Sequence, residues 1–196
     1  MIIVDVETTG LDPSKNSIVS IGALDFSKPK NQFYQECRIF DGAEVSQKAL
    51  EINGFSEEEI KNSNKKTLES AILEFIKWAE DIDDKTLAGE NSSFDRDFLK
   101  ASMERYGLRW EFGYRTVDLH SLGFAHYIKR GRIPPIKDRR TAISLDKILG
   151  YVGMPEEPKP HNALTGAKME AEAFSRLIEG KPLLEEFKKY LIPYYL

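Results

Sequence analysis

Residues 1–7, Met-Ile-Ile-Val-Asp-Val-Glu, form an apolar, β-branched run that breaks at Thr8-Thr9-Gly10 and Asp12-Pro13. The pattern predicts a strand entering a tight loop. Residues 17–26 and 32–40 predict two further strands joined by the turn-like stretch 27–31, so the chain opens as an antiparallel meander. Beyond it the period changes. Leu68, Ala71, Ile72, Phe75, Ile76 and Ala79 recur at three- and four-residue steps, as on one buried helical face. A short strand is expected at 85–88 and a helix at 94–106, with Gly107 as its C-terminal cap. Further helices are expected at 117–129, at 144–151 with Ser144 as N-cap, at 163–179 ending at Gly180, and at 183–191. The apolar end 192–196 should dock on the body. Strands first, then alternating helices and strands, predict an α/β fold with a mixed sheet flanked by helices.

Composition agrees with a folded, water-soluble domain. In 196 residues, 41% are hydrophobic and 31% charged, and no apolar run approaches transmembrane length. The N-terminus lacks a basic region and cleavage site and reads as a strand rather than a signal peptide. A single cysteine, Cys37, rules out an intrachain disulfide and fits a reducing, cytoplasmic setting with no membrane partner. The net charge of −4 excludes a purely basic nucleic-acid coat. It leaves room for an enzyme that holds phosphates through cations bound to carboxylates.

Asp5 and Glu7 lie two apart on the first strand, so their side chains share a face. The rest of that strand, Ile2, Ile3, Val4 and Val6, has the character of a central strand covered on both sides. Acids there are costly unless paired or bound to a cation. By itself the pair could also end the strand and face solvent. No glycine-rich phosphate loop follows the strand, which argues against a Rossmann-type nucleotide binder.

The stretch Asp5-Val6-Glu7-Thr8-Thr9-Gly10-Leu11 resembles the first motif of the DEDDh, or DnaQ-like, 3′→5′ exonuclease superfamily, which includes the proofreading subunit of DNA polymerase III and ribonuclease T. Residues 88–99, with Asn91, Phe94, Asp95, Phe98 and Leu99, resemble its second motif. Residues 160–167, starting Pro160-His161-Asn162-Ala163, resemble its third. The likeness spans about residues 1–180, with 181–196 as a C-terminal helix and tail packing on the same domain. It implies a ribonuclease H-like fold and hydrolysis of phosphodiester bonds at DNA or RNA 3′ ends with two Mg²⁺ or Mn²⁺ ions. It also implies roles: Asp5, Glu7 and Asp95 as metal ligands and His161 as general base. Thr8, Thr9, Gly10 and Leu11 would line the pocket for the terminal nucleotide, with Asn91 and Phe94 shaping it. Family members often dimerise or join larger nucleic-acid-processing assemblies.

The third motif departs from the pattern. Five residues after His161 the family carries an aspartate; this chain has Gly166. Glycine has no ligating group and costs about 1 kcal/mol relative to alanine inside a helix. The change leaves either a weakened nuclease or a catalytically impaired binding or assembly subunit, unless Glu170, one turn further on, or a water compensates. Restoring aspartate at 166 is expected to raise hydrolysis. Glu90 stands where the family often has histidine and is expected to be a solvated loop residue. Six cations fall within residues 129–140 (Lys129, Arg130, Arg132, Lys137, Arg139 and Arg140), offset by Asp138. This reads as a flexible basic loop, with Arg139 and Arg140 candidates for holding substrate phosphates in a salt-dependent way.

Overall fold

The computed structural model describes residues 1–194 and 196. Five strands form one sheet in the order β3-β2-β1-β4-β5. They are β1 Ile2–Thr8, β2 Ile18–Asp25, β3 Lys28–Glu36, β4 Leu87–Gly89 and β5 Val117–Asp118. β1, β2 and β3 form the expected antiparallel meander, while β4 and β5 run parallel to β1. The sheet is therefore mixed and flanked by helices, as the sequence predicts.

The alternation of β1 divides the core. Ile2, Val4 and Val6 join a cluster with Ile72 and Phe75 of α3 (Leu68–Ala79) and Phe98 of α4 (Ser92–Arg105). Ile3 points the other way, into a cluster with Phe174 of α7 (Ala163–Glu179), Leu119 of α5 (Leu119–Lys129) and Ile148 of α6 (Leu145–Tyr151). α7 is largely buried because it lies directly on β1 and β2. Gly22, the register partner of Asp5, permits this approach, since a Cβ at Gly22 would overlap the backbone of Ala163 and Leu164. The first turn of α7 is thereby seated over Asp5.

Several expectations shift. β3 begins at Lys28, not 32, because the reversal is tighter than expected. Asp25 Oδ1 accepts from both the amide and the hydroxyl of Ser27, at 2.9 and 2.7 Å. Pro29 is tolerated because β3 is an edge strand with a free side. Val117 and Asp118 are strand, and Asp118 caps α5 by accepting from the Ser121 amide at 2.9 Å. Ser144 occupies the N-cap of α6 but makes no side-chain cap bond. Two short helices, α1 Gln47–Asn53 and α2 Glu57–Lys61, went unread. The basic stretch is not a structureless loop: β6 Ile136–Lys137 and β7 Arg140–Thr141 form a hairpin.

The expected helix at 183–191 is a single 3-10 turn, Glu185–Phe187. Short turns close within it, Phe187 amide to Leu184 carbonyl at 3.1 Å and Tyr190 amide to Phe187 carbonyl at 3.0 Å, and a buried ion pair takes further backbone groups. Arg176, fully buried, donates to the carbonyls of Phe187 and Tyr190 at 3.0 Å, and Glu172 accepts the amides of Leu183 and Leu184 at 2.8 and 2.9 Å. Leu183, Phe187, Tyr190 and Leu196 pack on the α7 cluster, whereas Leu191 and Tyr194 are exposed. Tyr195 of the apolar end lies outside the described residues. Among those residues no helix is long and apolar enough to cross a membrane.

Candidate active site

Asp5 and Glu7 share the α7 side of β1 with Ile3, so the two-residue spacing does bring them to one face. They line a cavity of about 230 Å³ with Glu90, Asn91, Phe94, Asp95, Leu145, Glu157, His161 and Glu170. Six of these residues are carboxylic acids, and among the described residues no lysine or arginine lines the cavity. The carboxylates ring it without closing on one point: no three His, Cys, Asp or Glu side chains among the described residues form a finished cage.

Each acid is positioned by a local cause. β4 pairs with β1 only at Ile2 and Ile3, and past its end the Val6 amide donates to Asp95 Oδ1 at 2.9 Å. That bond joins the first turn of α4 to the end of β1. Asn91, the N-cap of α4, has φ 53, a left-handed conformation that asparagine adopts more readily than most residues. Glu170 is buried on α7, and its Oε2 has no hydrogen-bond partner. Glu90 is partly buried at the cavity rather than solvated, because β4 ends immediately before it.

Burial and crowding of like charges raise these acids. Burial, then Asp95, Glu7 and Glu157, hold Asp5 well above the ordinary carboxylate range. Burial pushes Glu7 up to about 7 and Asp95 up to about 8. Burial also raises Glu170, with Asp5 and Asp95 adding to it, and raises Glu90, with Asp118 adding. Such a set binds either protons or cations. Its oxygen-only donors and orphaned buried oxygens suit a hard divalent ion such as Mg²⁺ or Mn²⁺.

His161 sits at the cavity rim, its amide bonded to the Ile52 carbonyl at 3.0 Å. Its Nδ1 is 3.5 Å from Glu157 Oε2. Burial lowers the imidazole's pKa, with Asp146 opposing and Lys159 adding to that.

Val6, Glu7 and Phe94 also line a second cavity of about 320 Å³ beside the first. Thr8, Gly10 and Leu11 contribute to it, facing Lys48, Ala49, Ile52 and Asn53 of α1. Leu11 is 85% exposed, as a wedge at a pocket mouth would be. Thr9 is a correction: it turns inward and is fully buried. Its hydroxyl donates to the Glu44 carbonyl at 2.7 Å and accepts from the Ser17 amide at 2.9 Å. It holds the loop and does not line the pocket. Arg139 and Arg140 stand exposed on the β6–β7 hairpin, outside the lining of both cavities.

Sequence reading missed Glu157, which lies in the loop before His161 and outside any motif, and Lys48, on the unread α1. The i,i+4 spacing of Glu157 and His161 was the available signal, but a loop gives such spacing no meaning.

This fold, with its acids and histidine in one cavity, defines an exonuclease-type domain, and the chain belongs to the RNase T exonuclease family, whose model matches residues 2–174. It is 30% identical over 191 residues to the 3′-5′ DNA exonuclease Cap18 of Escherichia coli, covering 95% of this chain and 93% of that protein. It is also 29% identical over 179 residues to the PolC-type DNA polymerase III of Thermotoga maritima, covering 91% of this chain and 12% of that polymerase. The chain thus spans about an eighth of the PolC-type relative's length. Among solved structures, it overlays the nuclease domain of 3′hExo, a DEDDh family member bound to rAMP. That match has a TM-score of 0.70 at 18% identity and covers 94% of each chain. E. coli Exonuclease I in complex with a dA16 oligonucleotide matches with a TM-score of 0.69 at 16% identity, covering 92% of this chain and 40% of that one. At those identities the overlays establish the shared fold.

Proposed function

We propose that this chain is a metal-dependent 3′→5′ exonuclease that removes nucleotides from the 3′ ends of DNA or RNA strands. The observation that carries this reading is one cavity ringed by six carboxylates with no lysine or arginine among its described lining residues, rimmed by a histidine and opening beside a partly apolar slot. The likeness to Cap18 along nearly its whole length favours DNA as the substrate.

Asp5, Glu7 and Asp95 would hold two Mg²⁺ or Mn²⁺ ions, which when bound stabilise charge on the attacking and leaving oxygens of an in-line displacement. His161 takes the proton of the attacking water. With Nδ1 turned to Glu157, Nε2 is the nitrogen available to that water. The slot between Leu11, Ala49, Ile52 and Phe94 takes the terminal base by apolar contact, which needs no sequence readout. Lys48 offers a cation to the strand's phosphates, and Arg139 and Arg140 extend that contact along the backbone.

Gly166 favours a second reading, a catalytically impaired subunit that binds strand ends within an assembly. One experiment separates the two. End-labelled single-stranded DNA and RNA are incubated with the protein in Mg²⁺, Mn²⁺ or EDTA. A metal-dependent ladder from the 3′ end supports the nuclease; intact substrate with tight binding supports the subunit.

A further inference from the structure

The position where the family carries its last acid is Gly166, on the first turn of α7, and the space over it is filled. A Cβ there would overlap Asp5 Oδ2 and come within 3.3 Å of Glu157 Oε1. The Glu157 carboxylate therefore stands in the region that an aspartate at 166 would reach. It arrives from another element, the loop joining α6 to α7, which is tied down where the Glu157 amide donates to Asp146 Oδ1 at 3.1 Å.

Three observations make Glu157 more than a neighbour. Its side chain retains 8% exposure and its Oε1 is buried with no hydrogen-bond partner, a costly state for a carboxylate unless something binds it. It lines the same cavity as Asp5, Glu7 and Asp95. It also stands among like charges, its Oε1 and Asp5 Oδ2 both facing the Gly166 position. A bound cation would relieve the orphaned oxygen and the repulsion together.

We propose that Glu157 is the relocated fourth acidic ligand, a carboxylate that reaches the divalent-ion site from the α6–α7 loop in place of the aspartate absent at 166. This assignment rests on the metal-dependent nuclease reading of the same cavity. Glu170 is the rival. It too is buried with one unpartnered oxygen, but that oxygen lies against β4, 3.0 Å from a Cβ built on Gly89. Glu157 is the acid beside both Gly166 and His161.

The test measures Mn²⁺ binding directly, by calorimetric titration and by the Mn²⁺-induced rise in melting temperature of the full chain, neither of which needs turnover. Glu157→Gln keeps shape and removes charge. It should weaken Mn²⁺ binding by about tenfold or more and shrink the melting shift. In Glu157→Ala, adding Gly166→Asp should recover binding by returning the ligand to the helix. Undiminished Mn²⁺ affinity in Glu157→Gln overturns the assignment, as does a loss confined to Glu170→Gln, which would assign the ligand to Glu170. Failure of the nuclease reading looks different: the wild type binds Mn²⁺, Glu157→Gln does not, and no substrate is cut.

Discussion

The Asp5 carboxylate lies against Gly166, its Oδ2 filling the place where any side chain at position 166 would begin. The acid of the first strand and the gap in the last motif are thus one feature seen from two elements. A residue larger than glycine at 166 must first move Asp5, and Asp5 is held among Asp95, Glu7 and Glu157.

This relationship argues against a simple gain in hydrolysis from restoring aspartate at 166. Gly166→Asp alone forces the Asp5 carboxylate to turn and adds a negative charge to a site where even its Cβ would lie 3.3 Å from Glu157 Oε1. The single variant should lose about 1–3 kcal/mol of stability and hydrolyse no faster than the wild type. Thermal melts and laddering assays on both proteins check this, and a rate gain of tenfold in the single variant would contradict it.

The raised acids make stability depend on pH. A carboxyl whose folded pKa lies above its unfolded value holds its proton more tightly when folded, so stability is lost as pH rises between the two. Glu7 and Glu157 move from 4.5 to about 7, and Asp95 from 3.8 to about 8. In EDTA the melting temperature should fall by about 5 °C or more between about pH 5 and about pH 8. Added Mg²⁺ should reverse the fall, most at the alkaline end. A flat or rising metal-free profile would show that these acids are better solvated than their burial indicates.

Much of this site could be read along the chain, because each motif is local. The two-residue spacing of Asp5 and Glu7 on an apolar strand fixes a common face. Asp95 follows a helix start, and His161 precedes one. The residues that escaped depend on long-range packing. Glu157 matters because Gly22 lets α7 settle on β2 and brings the α6–α7 loop over Asp5. Thr9 turned inward because Glu44 and Ser17, 35 and 8 residues away, offered its hydroxyl partners. At the C-terminal segment, Arg176 takes the Phe187 and Tyr190 carbonyls and Glu172 the Leu183 and Leu184 amides, contacts that a local helix pattern does not encode. None of these has a periodic signature.

His161 should prove separable from the metal ligands. On the proposed mechanism His161→Gln removes the base but leaves the carboxylates, so Mn²⁺ binding should stay within about twofold while kcat falls by about 100-fold or more. The KM for a short oligonucleotide should change little. Loss of metal binding in this variant would mean that the ring is a ligand and not the base.

The hairpin carries a different kind of prediction. Asp138 and Arg139 both have positive φ, 50 and 62, in a turn where asparagine and glycine are the usual occupants. An arginine at such a position costs stability, which is consistent with selection for its charge. The hairpin base is fastened by His120, whose ring nitrogens lie 2.9 Å from the Ile143 carbonyl and 3.0 Å from the Thr141 hydroxyl. Neutralising Arg139 and Arg140 to glutamine should raise KM several-fold and flatten its dependence on salt, with kcat near wild type. If KM and its salt slope both stay put, the hairpin does not touch the strand.

The buried pair of α7 predicts stability without touching chemistry. Arg176 Nε bonds Glu172 Oε1 at 2.7 Å with both side chains fully buried, and Arg176 also holds the carbonyls of Val152, Phe187 and Tyr190. Removing one partner leaves the other charge buried and alone, so Arg176→Met should cost about 3–5 kcal/mol, read as a lower urea midpoint. Replacing both charges, Arg176→Met with Glu172→Leu, removes the lone charge but leaves the Leu183 and Leu184 amides without an acceptor. The double variant should therefore be more stable than Arg176→Met yet remain about 1–3 kcal/mol below wild type. Full recovery in the double variant would mean that the C-terminal segment is held by its apolar contacts, with Glu172 contributing nothing to its backbone.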